Sequence, residues 1–532
     1  MRYMTFLIVL IATALLAFLG ATVSPGYLWP LVVLMPLSLL GTWELFLQRK
    51  HSLLRNYPLL AQIRWLFEAI RPEMQQYFIE SDSDGKPFNR NDRSQIYERA
   101  KDVNQEHAFG TERDVYEDGY EWFTHSIVPR PASTEPIKQR IGGPACKQPY
   151  DMALLNVSAM SFGALSKNAI LALNKGAKMG GFAHDTGEGG LTEYHLRHGG
   201  DLVWEIGSGY FGTRTKSGAF DPEKFADQAQ REEVKCVSIK LSQGAKPGLG
   251  GVMPAEKVTS EIAKIRGVPV GQACISPAYH SAFKTPRELI EFVQRLRELC
   301  GAKPVGFKLC IGRREEFLSI CKAMLELEVY PDFIIVDGAE GGTGAAPLEY
   351  EDHVGTPLTE GLLFVHDALL GAGLRDYIKV GCSGKVTAAF NIARRITQGA
   401  DYCNAARAMM FALGCIQSQR CHTNTCPVGV ATQDPRRVRA LDIEDKATRV
   451  HNYQRNTVAE LHQLLASLGL DHPDQLTRSL LMRRIDANTV KSYAEIRPEL
   501  KPGALLNENE LISPQWRKEW NAASADQFGP PR

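Results

Sequence analysis

Uncharged apolar residues dominate the first fifty positions of the chain. Residues 3–23 carry no charge and match the roughly 20 residues that a helix needs to cross a bilayer. A second uncharged stretch, residues 27–43, follows the turn Ser24-Pro25-Gly26. Together the two stretches predict a transmembrane helical hairpin over residues 1–47, in contact with a lipid membrane.

Basic residues on both sides of the hairpin predict its orientation. Arg2 precedes the first stretch, and Arg49 and Lys50 follow the second, so the positive-inside rule places both ends of the hairpin and the chain that follows it in the cytoplasm. Two alternatives remain open. The first stretch could be a cleaved signal peptide, although it is long and lacks an Ala-x-Ala pattern. The second could be a buried core helix, because Pro30 and Pro36 interrupt it.

From residue 153 onward, short apolar runs end in Gly-rich or polar loops and alternate with helical stretches, as repeated strand–helix units do. Eight strand candidates lie near residues 153, 181, 201, 236, 304, 332, 377 and 402. Eight strands close a (β/α)8 barrel, an α/β fold whose active site is built by the loops at the carboxyl ends of the strands. A doubly wound open sheet is the main alternative, but no Gly-x-Gly-x-x-Gly follows the first strand.

The regions on either side of the predicted barrel carry no recognisable chemistry. Residues 48–150 predict a lead-in of mixed helix and loop, and residues 441–532 predict a helical C-terminal extension with a packing helix at 478–496. The predicted organisation therefore has four parts, with the barrel at residues 151–440.

Charge and cysteine content exclude some classes of protein. The 61 basic and 60 acidic side chains leave a net charge of +1, which gives no electrostatic footprint for nucleic acid, so no nucleic-acid partner is expected. The 11 cysteines are an odd number spread over a long chain. This distribution is typical of reduced thiols rather than of the disulfide framework of a small secreted domain.

Two loops after the last strands have the composition of a phosphate site. The loop Gly381-Cys382-Ser383-Gly384-Lys385 precedes an apolar helix, so backbone N–H groups and a helix N-terminus can meet an anion. The eighth strand leads into Ala406 and Arg407, and a guanidinium can bind phosphate in bidentate fashion. Barrel enzymes often bind a cofactor phosphate in this place, although a Gly-rich loop can also be a simple tight turn.

Three other loops carry candidate ligand-binding residues. The loop that begins at Asp337 is so rich in glycine, including Gly341 and Gly342, that close approach to a flat ligand is expected. The fourth and second strands lead to four polar residues: Lys240, Gln243, Lys246 and Glu188. Lysines that point into a barrel mouth suit a dianionic acid or a cofactor phosphate. For Lys246, a solvated position at the rim is the plainer alternative.

The segment GCIQSQRCHTNTCPVG, residues 414–429, contains three closely spaced cysteines. Five residues separate Cys415 from Cys421, four separate Cys421 from Cys426, and a proline follows. Iron–sulfur clusters are held by thiolates at such spacings, often with a proline after the last ligand. A zinc site that recruits His422 has the wrong spacing but stays open, as do three unligated thiols.

Five motifs, in order, resemble the FMN-binding synthase domain of glutamate synthase: SAMSFGALSK, DTGEGG, KLSQGAKPG, DGAEGGTGAAP and CIQSQRCHTNTCPVGVATQDP. The resemblance covers residues 150–435. It implies FMN beside a [3Fe-4S] cluster, and hydride transfer that reduces 2-iminoglutarate, formed from 2-oxoglutarate and ammonia, to L-glutamate. It also implies an electron donor, either a ferredoxin or an NAD(P)H-oxidising subunit.

The resemblance also implies roles for individual residues. The cluster ligands would be Cys415, Cys421 and Cys426. The flavin contacts would be Met160, Ser161 and Gly163 along the ring, Lys308 at its polar edge, and Gly341, Gly342, Gly381 and Gly384 toward the phosphate, with Asp337, Ser383, Ala406 and Arg407 nearby. The 2-oxoglutarate pocket would contain Glu188, Lys240, Gln243 and Lys246.

The chain departs from the family pattern in several places. Leu249 replaces a usually acidic residue, and Cys382-Ser383 replaces a DGG-like loop. The family's glutaminase and β-helical domains have no counterpart in this sequence, so free ammonia, another amine or a separate amidotransferase is expected to supply nitrogen. Two alternatives follow: a flavin oxidoreductase acting on another 2-oxo acid or amine, and an electron-transfer membrane subunit.

Overall fold

A computed structural model describes residues 2–103 and 106–529, and the chain divides into two compact units with a boundary after Arg90. The first unit is helical. Its elements are α1 Met4–Thr22, α2 Leu31–Thr42, α3 Ser52–Asn56 and α4 Gln62–Met74, with a 3-10 turn Pro25–Leu28 and π-helical turns Trp43–Leu47 and Gln75–Ile79.

Helices α1 and α2 pack against each other as an antiparallel hairpin. The start of α1 meets the end of α2, because a Cβ at Gly41 would overlap the ring of Phe6. At mid-length the hydroxyls of Thr13 and Ser38 lie 2.7 Å apart, which is the kind of small, polar contact that joins helices in membranes. Within the described residues, only α1 is long and apolar enough to cross a membrane, and the apolar helix Leu31–Leu47 is shorter.

The apolar side chains of both helices are largely exposed. Leu39 of α2 is 63% exposed and Ile11 of α1 is 64% exposed. In α2 only Ser38 and Gly41 are buried. This exposure contradicts the alternative that the second apolar stretch is a buried core helix. Pro36 lies inside α2 and does not end the helix.

The second unit contains fifteen short strands among its described residues. They are β1 Glu121–Phe123, β2 Lys138–Ile141, β3 Tyr150–Ala153, β4 Leu155–Val157, β5 His184–Asp185, β6 Leu202–Ile206, β7 Val234–Lys240, β8 Val252–Met253, β9 Cys274–Ile275, β10 Val305–Leu309, β11 Phe333–Asp337, β12 Lys379–Ser383, β13 Tyr402–Ala405, β14 Leu481–Asp486 and β15 Thr489–Ser492.

The helices of this unit mostly alternate with the barrel strands. They are α5 Arg90–Lys101, α6 Lys167–Gly180, α7 Glu193–Leu196, α8 Pro222–Ala229, α9 Ser260–Arg266, α10 Pro286–Leu299, α11 Arg314–Leu327, α12 Leu348–His353, α13 Leu358–Gly371, α14 Ala389–Thr397, α15 Arg407–Ala412, α16 Pro435–Arg439, α17 Ile443–Ser467, α18 Tyr493–Ile496 and α19 Pro514–Ala522.

Eight strands form a closed parallel barrel in the order β4-β5-β6-β7-β10-β11-β12-β13. Residue pairs such as Cys403 with Leu155 join the last strand to the first. All eight predicted strands are therefore confirmed, although β5 is only two residues long. The apolar runs form strands here because helices cover their outer face and the barrel interior covers the other.

Apolar side chains fill the amino-terminal end of the barrel. The β2–β3 hairpin contributes Ile141 and Met152, which are buried in one cluster with Phe333, Ile335 and Tyr402. This end is therefore a packed core, and polar side chains collect at the opposite, carboxyl end of the strands.

The predicted packing helix at residues 478–496 is wrong. Most of this segment forms the antiparallel hairpin β14–β15, to which β1 adds a third strand. A tight turn joins the two strands, in which Asp486 accepts a hydrogen bond of 2.9 Å from the backbone N–H of Asn488. In the rest of the C-terminal extension, where helix is predicted, the main helix is α17, which spans 25 residues.

Candidate active site

The carboxyl ends of the barrel strands bring most of the predicted site residues to one place. Strands β7, β11 and β12 end at Lys240, Asp337 and Ser383. Lys308 is the penultimate residue of β10, and Gly381 lies within β12. The other predicted residues lie in the segments that follow β4, β5, β7, β11, β12 and β13, with the three cysteines beyond α15. A parallel barrel collects these ends on one face.

A buried ion pair lies at this face. Lys240 Nζ is 2.9 Å from Glu188 Oε1, and the two side chains are only 8% and 15% exposed. Two glycines leave room for the carboxylate, because a Cβ at Gly207 would lie 2.7 Å from the Glu188 Cβ and one at Gly251 would overlap its Oε1. Burial alone would raise the pKa of Glu188, but the charge and hydrogen bond of Lys240, with smaller effects of Arg266 and Lys246, hold it at about 2.

Lys246 is buried beside this pair, so the expected solvated rim position is wrong. Its Nζ donates a hydrogen bond of 2.9 Å to the backbone oxygen of Ala345, and the residue is 3% exposed. Burial, and then the like charge of Lys240, lowers the pKa of Lys246 to about 8 against the opposing effect of Glu188. The loop Gln243-Gly244-Ala245-Lys246 turns inward because Asp337 accepts a hydrogen bond of 2.8 Å from the N–H of Gly244.

Gln243 is half-buried in the same loop. Its amide is 3.4 Å from the hydroxyl of Thr343, which belongs to the Gly-rich loop after β11. The loops after β7 and β11 therefore lie side by side at this face of the barrel, and the first of them carries both Gln243 and Lys246.

Sequence reasoning missed Arg266, a further cation of the site. It lies at the end of α9, in an insertion between β7 and β10. Its guanidinium is buried, donates at 3.3 Å to the Ser161 hydroxyl and to the Phe162 carbonyl, and lies 5.0 Å from the centre of the Phe211 ring. No spacing in the sequence marks this residue, because the insertion breaks the strand–helix repeat.

His280 and Tyr210 were also missed. The ring of His280 lies 2.8 Å from the Lys240 carbonyl oxygen through Nε2 and 3.0 Å from the Tyr210 hydroxyl through Nδ1. Burial lowers the pKa of His280 to about 4, so the ring is neutral near pH 7. A neutral ring donates to the carbonyl and accepts from the phenol, which fixes the backbone that carries Lys240.

Lys308 lies deeper in the barrel and is paired with Glu205. Both side chains are at most 5% exposed. Burial opposes the charged lysine, but the carboxylates of Glu205, Asp185 and Asp337 raise the pKa of Lys308 above its usual value. Burial and the nearby Glu205 raise the pKa of Asp185. Glu205 had a signal in the sequence, since it is a charged residue inside the apolar strand run LVWEI.

The Gly-rich segments form a cradle beside these groups. The Ser383 hydroxyl donates to Asp337 at 2.6 Å, and Gly384 has φ +147°, a conformation that glycine tolerates best. A Cβ at Gly342 would lie 2.8 Å from the side chain of Arg407, whose guanidinium donates to the Glu340 carbonyl at 2.6 Å. Ala406 directly precedes this arginine.

The segment predicted to face a flavin ring follows β4. Met160 and Ser161 lie against Gly187, where a Cβ would be 2.7 Å from the Ser161 nitrogen, and a Cβ at Gly163 would be 3.4 Å from Arg266. Glycines at these contacts let this segment pack closely against the loop after β5 and, at Gly163, against the Met253 side chain, which a Cβ would approach to 2.5 Å. The groups that fit a flat cofactor with a phosphate, such as FMN, are the buried cation Lys308, the positive-φ Gly384 and the half-buried Arg407.

Gly381 has a different position from the one predicted. It lies within β12 and pairs with Tyr402 of β13. A Cβ there would lie 2.5 Å from the Tyr402 ring, so this glycine makes room for the packed lower core rather than for the loop.

The three cysteines of the segment 414–429 lie near one another. Cys426 is buried, Cys415 and Cys421 are half-buried, and all three are free thiols. Burial, followed by the charges of Cys421 and Cys426, raises the pKa of Cys415 to about 12. Across the part of the chain that the structure describes, however, no group of three or more His, Cys, Asp or Glu side chains is placed to hold a metal ion. His422, the residue recruited in the zinc alternative, is exposed.

The cysteine segment is connected to the loop after β4 through Gln433, just beyond the segment, and through the neighbouring residues Glu256 and Lys257. The side-chain amide of Gln433 donates to the carbonyls of Gly163 and Leu165 at 3.0 and 2.9 Å. Asn424 donates to the Glu256 carbonyl at 3.0 Å, and nearby Lys257 donates to the Ala164 carbonyl at 2.9 Å. The cysteines are therefore held beside the segment that is expected to contact the flavin.

The chain is similar in sequence to known proteins. Residues 141–471 match the family model described as the conserved region in glutamate synthase. The chain is 37% identical over 484 residues to a glutamate synthase large subunit-like protein of Bacillus subtilis, covering 83% of this chain and 92% of that protein. It is 34% identical to an archaeal glutamate synthase [NADPH] of Methanocaldococcus jannaschii, covering 67% of this chain and 63% of that protein.

A longer relative is the glutamate synthase [NADPH] large chain of Bacillus subtilis, 32% identical over 60% of this chain but only 20% of its own length. Among solved structures, a flavocytochrome b2 mutant is 13% identical, with 75% of this chain and 80% of that chain covered and a TM-score of 0.42.

Proposed function

Because the chain belongs to the family defined by the conserved region in glutamate synthase, and is a glutamate synthase-type oxidoreductase, we propose that it reduces 2-iminoglutarate, formed from 2-oxoglutarate and ammonia, to L-glutamate. The observation that carries the proposal is the buried Lys240–Glu188 pair with Lys246 beside it. An enclosed site with this excess of cations suits a small dicarboxylic acid.

Charge balance supports this choice of substrate. Glu188 neutralises one of the two lysines, and Arg266, which also acts on Glu188, adds another cation. The net positive charge that remains can be offset by the two carboxylates of 2-oxoglutarate. In this arrangement Lys246 and Arg266 meet carboxylates, and Gln243 offers an amide to the carbonyl or imine end.

Lys240 and Glu188 are the pair best placed to handle protons. The ammonium of Lys240 can donate a proton, and the Glu188 carboxylate 2.9 Å away holds it in position. Ammonia addition and water loss both need proton transfers of this kind. His280 holds the Lys240 backbone in position, and the surrounding loops exclude bulk water from the pair.

FMN, when bound, supplies the hydride-transfer chemistry. The residues that would hold it are Met160, Ser161 and Gly163 on one side, Lys308 near the polar edge, and Asp337, Gly341, Gly342, Ser383, Gly384, Ala406 and Arg407 toward the phosphate. The glycine contacts and the buried cation Lys308 support this placement.

The cluster is a separate part of the proposal. Cys415, Cys421 and Cys426 would hold a [3Fe-4S] cluster, supported by their spacing and by their position beside the flavin-facing segment. The described side chains do not form a complete ligand set, so no step of the reaction is assigned to the cluster. Electrons would come from a ferredoxin or an NAD(P)H-oxidising subunit, and nitrogen from ammonia, another amine or a separate amidotransferase.

We also infer that the α1–α2 hairpin anchors the enzyme in a membrane with two passes and a cytoplasmic catalytic unit. The Thr13–Ser38 contact and the exposed apolar faces of both helices support this. The basic residues Arg2, Arg49 and Lys50 support the orientation.

The decisive experiment adds 2-oxoglutarate and ammonium to the anaerobically reduced enzyme and follows the flavin absorbance. Reoxidation of the flavin with stoichiometric L-glutamate supports the proposal. If the flavin is present but stays reduced with this pair of substrates and is oxidised by another 2-oxo acid, the fold assignment holds and the substrate assignment fails.

A further inference from the structure

Helix α4 carries an apolar stripe that the other described residues of its own unit leave exposed. The stripe consists of five residues at helical spacing: Ile63, Leu66, Phe67, Ile70 and Met74. Each is more than 40% exposed, and no residue of α4 is buried. The turn that follows adds three more exposed apolar residues: Tyr77, Phe78 and Ile79. A helix of a soluble unit normally buries such a stripe.

The charges near the stripe are basic in excess. Residues 49–74 contain five Lys or Arg and two acids, Glu68 and Glu73. The excess comes from the residues before α4, because α4 itself carries two arginines and two glutamates. Arg64 and Arg71 follow the stripe positions Ile63 and Ile70 directly, and Arg64 is 3.9 Å from Glu68. Long basic side chains beside an apolar stripe can bury their stems while keeping the charge in water. An amphipathic helix that follows a basic segment such as residues 49–55 is typical of one that lies in a membrane interface near anionic lipid.

The position of α4 in the chain favours the same partner. Only fourteen residues separate Leu47, where the hairpin ends, from Gln62, where α4 begins. Even fully extended, this connection spans at most roughly 50 Å, and α3 shortens it. If the hairpin is in the bilayer, α4 is therefore held close to the membrane surface at a high effective concentration.

We propose that α4 and the turn after it form an interfacial helix that lies on the cytoplasmic leaflet, with the stripe in the acyl region and Arg64 and Arg71 on anionic headgroups. This inference rests on the proposed membrane anchor. Its consequence is that the connection from the hairpin to the catalytic unit runs along the membrane surface rather than away from it.

Photo-crosslinking of the full chain tests the inference. Phe67 is replaced by p-benzoylphenylalanine, and the protein is inserted into vesicles of phosphatidylcholine and phosphatidylglycerol and irradiated. The matched control carries the same amino acid in place of Glu68, on the opposite face of α4. We expect lipid adducts at position 67 to exceed those at position 68 by at least about fivefold, because only the stripe enters the acyl region.

Three outcomes would overturn the inference. They are cross-links from position 67 to the catalytic unit, cross-linked dimers of the chain, and equal lipid adducts at the two positions. Alkaline carbonate extraction separates this failure from failure of the anchor. A chain that carbonate washes from the vesicles refutes the anchor and the inference together, whereas a retained chain with cross-links to protein refutes only the interfacial helix.

Discussion

At the scale of single residues, the Lys240–Glu188 pair affects both the stability of the fold and the rate of the proposed reaction. Changing Lys240→Met leaves a carboxylate buried without its counter-ion, which typically costs roughly 3–5 kcal/mol of stability. We expect the rate of L-glutamate formation to fall by about 10²-fold or more, the scale of losing a positioned proton donor. Steady-state kinetics and thermal unfolding measure the two effects.

Two controls separate chemistry from folding in this experiment. The double variant Lys240→Met with Glu188→Gln should regain stability without regaining activity, because it removes the uncompensated charge but not the need for the lysine. Lys303→Met removes another buried lysine, whose Nζ donates to the Ala229 and Arg231 carbonyls away from the site, and should keep its turnover number. Recovery of activity in the double variant would contradict the role given to Lys240.

Lys246 predicts a pH dependence with a definite sign. Its pKa of about 8 means that the ammonium loses its proton as pH rises through 8, and with the proton it loses its attraction for a carboxylate. We expect the KM for 2-oxoglutarate to rise above pH 8 at saturating ammonium, by at most about tenfold per pH unit. Lys246→Arg, whose side chain stays charged, should keep a flat profile.

Unfolding does not explain such a rise in KM. Between pH 8 and the usual lysine value of 10.5, the folded protein binds fewer protons at Lys246 than the unfolded chain does, so this residue's contribution to stability increases with pH. If the wild type and Lys246→Arg lose affinity in parallel, Lys246 does not bind the substrate.

The sequence predicts the site residues that lie in recognisable motifs, and it does not predict the others. The motifs led to Glu188, Lys240 and Gln243, which the structure brings together. Arg266 and His280 reach the same place from an insertion between β7 and β10, and neither shows a spacing that sequence reasoning can use. Their positions depend on tertiary packing against Phe211 and Tyr210.

At the scale of elements, burial on both faces made the barrel strands recognisable. In β11 the four residues FIIV are all apolar because they are enclosed on both sides, and the polar Asp337 comes only at the carboxyl end of the strand. The hairpin β14–β15 is only partly buried, so its sequence lacks a continuous apolar run. The pattern LLMRRI therefore predicts a helix, and this prediction is wrong. Tertiary pairing with β1 overrides the local preference there.

The cysteine segment yields a prediction at this scale. We expect Cys415→Ser to lose most of the iron and acid-labile sulfide of the purified protein, because a thiolate ligand is removed from the proposed cluster. Iron analysis and the electron paramagnetic resonance signal of the oxidised protein measure the loss. Cys146→Ser is the matched control, since Cys146 is also a half-buried free thiol but lies outside the segment. Equal iron content in both variants would show that Cys415 is not a ligand.

At the scale of the whole molecule, the chain joins two units with different chemistry. The predicted four-part division at residues 47, 150 and 440 stays a prediction, because the described structure separates only at Arg90. All the predicted site residues belong to the second unit. Membrane attachment and catalysis should therefore be separable by substitutions in the first unit.

The final prediction tests that separation. Ile11 and Leu15 lie one turn apart on an exposed face of α1, and an arginine near the centre of a spanning helix costs roughly 2.5–3.5 kcal/mol. The double variant Ile11→Arg with Leu15→Arg should therefore move from the carbonate-resistant membrane fraction to the soluble fraction.

The matched control places the same two charges at exposed leucines of the catalytic unit, Leu506→Arg with Leu511→Arg. This control should stay in the membrane fraction. Both variants should reoxidise flavin with 2-oxoglutarate and ammonium at the wild-type rate, because neither change touches the barrel mouth. A charged α1 that still resists carbonate would show that the hairpin is not the anchor, and a loss of turnover in the released enzyme would show that catalysis depends on the membrane.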